Sequence, residues 1–205
     1  AASSINTTEA TLAGNVTAIL KAKQPKYILL ENVNRLLCSP AKAKGRDFMV
    51  ILSCLDALGY AVEWRVINAA DYGMPQRRKR VFILAYHKST SIYKKLKAEK
   101  NKLQWLGSKG VIASEFPVKE LAFKATSGTI ESDIQAVSDS FNNEGKKSPF
   151  QNSGVMLNGE FITIKSEPNY NGNRTVLEEI LVDSKKVPSE FFISAADLKA
   201  KNGWE

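Results

Sequence analysis

The pattern of apolar and polar positions in the first part of the chain changes between helical and strand spacing. Apolar residues recur at helical intervals over 12–20 and again over 48–58, so each stretch predicts an amphipathic helix. The segments 27–30 and 80–85 are almost continuously apolar, which is typical of strands buried on both faces. The segment 62–66 alternates and predicts a strand with one face in water. The order of these elements predicts part of an α/β sheet.

The amino-acid composition of the chain changes near residue 87. Six lysines lie among polar residues in 88–102, and 126–148 is rich in Ser, Asn and Gly. The apolar segments 155–157 and 161–164 flank Asn158-Gly159, a dipeptide that favours a tight hairpin turn. Two further helices are expected near 176–182 and 195–201. We therefore expect a leader with little structure at 1–14, one domain at 15–86 and a second at 87–205.

Composition narrows the functional classes. The chain has 205 residues, 43% of them hydrophobic, which is enough for one core and a smaller lobe. Its net charge of +8 suits a polyanionic partner without requiring one. Two cysteines make no disulfide framework, so a reducing compartment, the cytoplasm, is expected. No apolar run reaches the roughly 18–20 residues of a membrane span. The single histidine, His87, excludes a histidine-based metal site and a Ser-His triad.

Two polar clusters adjoin predicted strands. Glu31 ends the first apolar strand, and carboxyl ends of parallel strands are where open α/β sheets bind ligands. It could equally cap the following turn. The run at 76–80 is extended if it belongs to the next strand, which would place Gln76, Arg78 and Arg80 on one face. Guanidinium groups suit phosphates and base carbonyls, but a charge run can also simply protect a sheet edge.

In this order and spacing, the two clusters resemble the DNA (cytosine-5) methyltransferases. The resemblance covers about residues 15–86 and rests on Glu31-Asn32-Val33, Asn68-Ala69, Asp71-Tyr72-Gly73, Pro75-Gln76, Arg78 and Arg80. It implies the C-terminal half of a Rossmann-like methyltransferase sheet, followed by part of a small, mostly irregular or β target-recognition domain. It also implies methyl transfer from S-adenosylmethionine to C5 of a flipped cytosine in double-stranded DNA, in a restriction-modification or orphan methylation system.

The resemblance assigns a role to each matching side chain. Glu31 would donate a proton or strong hydrogen bond to N3 of the cytosine, and burial would favour its neutral form. Arg80 would lie near the O2 edge of the base, and Arg78 near the target phosphate and the catalytic loop. Asn32 and Gln76 would support the site structurally.

Other positively charged and amide side chains are candidates for DNA contacts. The candidates for the phosphate backbone are Arg77, Lys79, Lys94 and Lys95. The candidates for base edges are Gln151, Asn152, Asn158, Asn171 and Asn173.

Parts of the family pattern are missing from this sequence. It has no Pro-Cys nucleophile loop and no glycine-rich turn for S-adenosylmethionine, and Leu12 is the one candidate for the cofactor's adenine. Cys38 and Cys54 are expected to be apolar fillers. We therefore expect a truncated, proteolysed or split enzyme that is inactive alone and pairs with an N-terminal half. The alternatives are a non-catalytic methyltransferase-like module that binds DNA or a partner, and a generic basic α/β domain.

Overall fold

The computed structural model describes residues 9–142 and 147–194, and its central feature is a six-stranded sheet. The strands are β1 (Tyr27–Val33), β2 (Tyr60–Asn68), β3 (Lys79–His87), β4 (Thr126–Thr129), β5 (Ser153–Leu157) and β6 (Glu160–Ile164). Their order is β1-β3-β2-β5-β6-β4, and all hydrogen-bonded neighbours are antiparallel. Because β3 runs between β1 and β2 in the opposite direction, its beginning lies beside their ends.

Seven α-helices are described, and several of them cover the two faces of this sheet. They are α1 (Glu9–Lys23), α2 (Arg46–Ala57), α3 (Ser91–Ala98), α4 (Lys102–Gln104), α5 (Val111–Glu115), α6 (Ile134–Ser140) and α7 (Leu177–Ile180). Short 3-10 turns follow β1 at Asn34–Cys38 and β2 at Ala69–Tyr72, and Trp105–Lys109 forms a π-helical turn. In the larger core, α1 and α2 pack against one face of β1, β2 and β3. A smaller core on the other face joins α3 and the π-helical turn to β2, β5 and β6.

The mixed helix and strand composition predicted from the sequence is confirmed, and so is the hairpin formed by β5 and β6. Asn158 and Gly159 form its turn with φ angles of 51° and 75°, the left-handed conformation that such a turn requires. The expected parallel pairing of the strand that carries Glu31 is wrong, because β1 pairs with β3 in the antiparallel sense.

The expectation that the first strand is buried on both faces is wrong for β1. Its side chains alternate, and Leu29 is 64% exposed while Ile28 is buried. β1 is the edge strand of the described sheet, and α1 and α2 cover only the face that carries Ile28. An apolar run therefore identified the strand but not what covers it.

The expectation of a water-facing side on the second strand is also wrong. Glu63 and Arg65 on β2 are each only 2% exposed, although they alternate with apolar residues as a wet face would. The segment 102–116 packs over this face, and its polar groups hydrogen-bond both charged side chains.

The expected domain limits stay a prediction, although the elements on either side of them can be located. Residues 1–8 of the expected leader and the helix expected near 195–201 lie outside the described residues, but α1 begins at Glu9, so 9–14 are helical. The helix expected near 176–182 is the short α7. The sheet continues across the division expected near residue 87, because β5 pairs with β2.

Over the residues that the structure describes, no helix has the length and apolarity needed to cross a membrane.

Candidate active site at the ends of β1 and β2

The structure brings the predicted acid and both predicted arginines together. Val33 of β1 pairs with Arg80 of β3, so Glu31 and the beginning of β3 lie at the same end of the sheet. Arg80 Nε lies 2.9 Å from Glu31 Oε1, and Arg78 Nη2 lies 3.6 Å from the same oxygen. Arg78 precedes β3 and still reaches the carboxylate, because its carbonyl accepts a hydrogen bond from the Ala69 backbone N–H at 3.0 Å. The arrangement is one carboxylate between two guanidinium groups.

A cavity of about 240 Å³ opens beside this cluster. Its charged lining consists of Glu31, Arg78 and Arg80, and its remaining walls are Ile67, Ala69, Tyr72, Met74, Phe82 and Phe116. Apolar walls with a few convergent polar groups are the usual composition of a small-ligand site, and the volume is slightly below the about 300–1,000 Å³ of typical ligand pockets. The cavity therefore suits a flat, partly apolar group with polar atoms on one edge.

The Asp-Tyr-Gly turn forms one side of the cavity. Gly73 ends the 3-10 turn at φ 88°, and a side chain there would place Cβ 2.4 Å from the Asn173 carbonyl oxygen. The Gly73 carbonyl accepts a hydrogen bond from Thr175 N–H at 2.9 Å, so 170–175 lies directly against the turn. Glycine is required at this position by both the backbone angle and the close approach.

Tyr72 lies between two aromatic neighbours. Its ring contacts Phe116 edge-on with ring centres 5.1 Å apart, and Tyr170 at 6.0 Å. Burial raises the pKa of the Tyr72 hydroxyl, which donates a hydrogen bond to the Pro117 carbonyl at 3.2 Å. The turn is thus held by residues distant in sequence, none of which the sequence pattern singled out.

Glu31 is not the buried acid that was expected. Its side chain is 41% exposed, compared with 26% for Arg80 and 49% for Arg78. In the described part of the chain the acid therefore belongs to a partly solvated ion pair.

The predicted supporting residues act through the backbone. The Asn32 side-chain oxygen accepts a hydrogen bond from Val33 N–H at 2.7 Å, where β1 passes into its 3-10 turn. The Gln76 carbonyl accepts one from Arg78 N–H at 3.0 Å, and its side chain is exposed. Gln76 precedes β3, so the strand-like face expected to include it begins only at Lys79.

The predicted DNA-backbone residues separate into two groups. Arg77 and Lys79 are exposed beside the site. Lys94 and Lys95 belong to α3, which follows the far end of β3, and Arg80 to His87 along that strand spans about 23 Å. The structure does not bring these two lysines to the site. Leu12 falls within α1, and its assignment to the cofactor stays a prediction.

Some of the base-edge candidates already use their side-chain amides in hydrogen bonds within the protein. The Asn152 amide exchanges two 2.8 Å hydrogen bonds with the Ser166 backbone, and the Gln151 amide group donates to the Lys124 carbonyl at 3.1 Å. Asn158 accepts from the Tyr93 hydroxyl. Asn171 and Asn173 are exposed beside the Gly73 turn. The structure therefore favours this last pair as groups able to contact a ligand.

Neither cysteine lines the cavity beside Glu31. Cys38 is exposed on the 3-10 turn after β1, so it is not the apolar filler expected, and Cys54 is partly buried in α2. Among the described residues, no group of three or more His, Cys, Asp or Glu side chains could hold a metal ion.

S-adenosylmethionine does not fit either of two cavities that the described residues form. The cavity beside Glu31 carries two arginines against one carboxylate. A second cavity, of about 330 Å³, carries Arg65 and Lys79 against Asp71. Both have an excess of positive charge, which disfavours a sulfonium cation and favours an anion.

A family model described as "C-5 cytosine-specific DNA methylase" matches residues 1–187. The chain belongs to this family. It is 47% identical over 158 residues to the type II methyltransferase M.Sau3AI of Staphylococcus aureus, covering 76% of this chain and 37% of that protein. It is 48% identical over 86 residues to M.NlaIV of Neisseria lactamica, covering 40% and 20%. The chain thus spans 37% of the length of M.Sau3AI and 20% of the length of M.NlaIV.

Proposed function

We propose that this chain forms the part of a DNA (cytosine-5) methyltransferase that receives the flipped target cytosine and begins the DNA-recognition region. In this proposal β1, β3 and β2 are the later strands of a Rossmann-like sheet. The observation that carries the proposal is the Glu31 carboxylate held between Arg78 and Arg80 at the mouth of a largely apolar cavity. The type II name of its relatives supports a role in a restriction-modification system in the bacterial cytoplasm, next to the nucleoid.

The chemistry of cytosine matches the polar groups at the cavity. C5 becomes nucleophilic when a thiolate adds to C6, and negative charge then develops towards N3 and O2. A protonated Glu31 would donate to N3, and Arg80 would donate to O2. In the free chain Glu31 forms an ion pair with Arg80. When the base binds, Arg80 would therefore have to move towards O2, and Glu31 would have to take up a proton.

The charged surroundings of the cavity suit the DNA backbone. Arg78 is half exposed and would face the phosphate of the flipped nucleotide, with Arg77 and Lys79 contacting neighbouring phosphates. Extruding the base from the duplex is necessary because a stacked cytosine cannot enter a cavity of this size.

This chain alone would not transfer a methyl group. No cysteine lines the cavity beside Glu31, and neither described cavity suits S-adenosylmethionine. We infer that the thiolate and the cofactor site are contributed by an N-terminal half. The open edge of β1, where Tyr27 and Leu29 are exposed, is the place where that half would pair.

The test uses this chain co-expressed with the N-terminal part of M.Sau3AI, referred to below as the complemented enzyme. Glu31→Gln keeps the shape of the side chain but cannot deliver a proton, so kcat should fall about 10²- to 10⁴-fold. DNA affinity should change less than about twofold. Glu160→Gln, on an exposed glutamate at the start of β6, is the matched control. Unchanged kcat in Glu31→Gln, or no transfer by the wild-type pair, would reject the proposal.

The second candidate function is a non-catalytic module that binds DNA. The partial exposure of Glu31 and its two arginine partners favour it, because a surface ion pair needs no role in proton transfer. For such a module, Glu31→Gln would leave every measured property of the DNA complex unchanged, and the wild-type pair would show no methyl transfer.

A further inference from the structure

Two opposite charges are buried together on β2, and the proposed reaction does not use either. Glu63 accepts hydrogen bonds from Tyr86 Oη at 2.5 Å, Trp105 Nε1 at 2.6 Å and the Ile112 backbone N–H at 3.0 Å. These contacts fix the beginning and the middle of the covering segment, residues 102–116, on the sheet. Burying a carboxylate this completely is unfavourable unless its oxygens are hydrogen-bonded, and here both are.

Arg65 contacts both ends of the covering segment. Its Nη1 donates to the Phe116 carbonyl at 2.7 Å, and its Nη2 donates to the Leu106 carbonyl. Burial lowers the pKa of Arg65, while nearby Tyr72 and Glu63 oppose that change. A planar guanidinium can hold two carbonyls in fixed directions, which a lysine ammonium cannot do.

The residue at the end of this segment is part of the cavity wall. Phe116 packs edge-on against Tyr72, and both rings line the cavity that contains Glu31. The next carbonyl, of Pro117, accepts the hydrogen bond from the Tyr72 hydroxyl. The contacts therefore run from Arg65 through the Phe116 backbone to the two aromatic rings beside the predicted acid.

Packing by itself does not fix the Tyr72 ring. Tyr72 lines both the 240 Å³ cavity beside Glu31 and the 330 Å³ cavity on the side of Arg65. A ring with open space on two sides is placed by its hydrogen bond and its aromatic neighbours, so residues 116–117, together with Tyr170, determine the position of Tyr72.

We propose that Arg65 is a positioning residue for the target-base cavity, which it orders by fixing the Phe116 carbonyl and through it the Phe116 and Tyr72 rings. The inference rests on the proposed function for the identity of the ligand, a flipped cytosine. Glu63 anchors the same segment at Trp105 and Ile112, away from the cavity. Arg65 touches neither the base nor the methyl donor and acts only through the wall.

Backbone hydrogen exchange on this chain tests the structural part of the proposal, and the measurement requires no enzymatic activity. Arg65→Met should raise backbone exchange about tenfold or more in 111–118 and also in 69–74, the turn that carries Tyr72. Trp105→Phe is the matched control, since it removes one hydrogen bond from Glu63 at the far end of the segment. It should raise exchange in 102–110 and leave 69–74 unchanged. Unchanged exchange of 69–74 in Arg65→Met would overturn the proposal.

Kinetics in the complemented enzyme test the functional part. Arg65→Met and Arg65→Lys should each lower kcat about 10- to 100-fold, because a wall displaced by about 1 Å misplaces the base. KM for DNA should stay within about threefold, since phosphate contacts are unchanged. The fluorescence of 2-aminopurine at the target position, which reports the flipped state, should weaken at saturating DNA.

Three outcomes separate the explanations. An Arg65→Lys variant with wild-type kcat would show that charge alone is needed and would overturn the proposal. An equal loss of kcat and of the flipping signal in Trp105→Phe would assign Arg65 to general stability, which also overturns it. A wild-type enzyme that neither flips nor methylates would reject the proposed function instead, and the exchange experiment would then decide whether Arg65 orders the turn.

Discussion

Glu31 Oε1 and Arg80 Nε lie 2.9 Å apart across neighbouring antiparallel strands, while Arg78 approaches the same oxygen only to 3.6 Å. The two contacts differ in more than distance. Arg80 lies on β3 beside Val33, whereas Arg78 precedes the strand and is about twice as exposed. The two arginines that the sequence placed together are therefore not equivalent in the free chain.

A double-mutant cycle on this chain should separate the two arginines. Combining Glu31→Gln with Arg80→Gln should give a coupling free energy of about 0.5–1 kcal/mol, the upper range for partly exposed ion pairs. Combining Glu31→Gln with Arg78→Gln should give about 0.2 kcal/mol or less, because the contact is longer and more solvated. Urea unfolding of the single and double variants measures both. Equal couplings would show that the carboxylate is shared evenly.

Salt dependence should distinguish the two groups of candidate DNA-backbone residues. Arg77→Ala should reduce the slope of log Kd for duplex DNA against log salt by about 1, as expected for one lost phosphate contact. Lys94→Ala removes an equal charge from α3, beyond the far end of β3, and should leave the slope unchanged. Fluorescence anisotropy from about 50 to 200 mM salt measures both variants. A reduction of the same size in Lys94→Ala would place DNA across the far end of the sheet as well.

Features set by neighbouring residues were predictable from the sequence. The Asn158-Gly159 turn needs only local backbone angles, and the strand that carries Glu31 needs only a short apolar run. The resemblance to a known family implied one common site for Glu31, Arg78 and Arg80, and these three side chains do lie together.

Features set by distant residues were not predictable. Glu63 and Arg65 alternate with apolar residues just as a solvated face does, and the groups that bury them lie more than 40 positions later, at Trp105 and Phe116. The Leu29 face was mistaken for a buried one because apolar spacing does not show whether another element covers it. Phe116 and Tyr170 gave no local signal, since their place at the site depends on the path of the whole second region.

The contact between β2 and the later hairpin should tolerate no side chain at Gly154. A Cβ there would lie 2.0 Å from Trp64 Cζ2, and Trp64 is fully buried. Gly154→Ala should therefore lower the free energy of unfolding by about 1–3 kcal/mol, the usual range for overpacking. Gly107→Ala is the matched control, because its Cβ would meet Leu121 at an ordinary 3.5 Å, and it should change stability by less than about 0.5 kcal/mol. Chemical denaturation provides the comparison, and a neutral Gly154→Ala would contradict the pairing of β5 with β2.

Stability should fall at high pH through Tyr86. Burial raises the pKa of its hydroxyl, and the charge of Glu63 and their hydrogen bond raise it further. The unfolded chain ionises this tyrosine near its usual value of about 10, whereas the folded chain keeps it neutral. The stabilisation is thus complete below about pH 10 and declines above it by up to about 1.4 kcal/mol per pH unit.

Tyr86→Phe removes the titrating group and so provides the test. The variant should lose about 1–3 kcal/mol at neutral pH, because Glu63 loses one of its donors, but its stability should fall less steeply above about pH 10. Tyr93→Phe serves as the control, since burial also raises the pKa of Tyr93 but its ring is only partly buried, and most of the alkaline slope should remain. Urea midpoints between about pH 8 and pH 11 measure the slopes. If the stability of Tyr86→Phe falls with pH as steeply as that of the wild type, other groups dominate the alkaline transition. Tyr72, on the turn beside Glu31, is one such group.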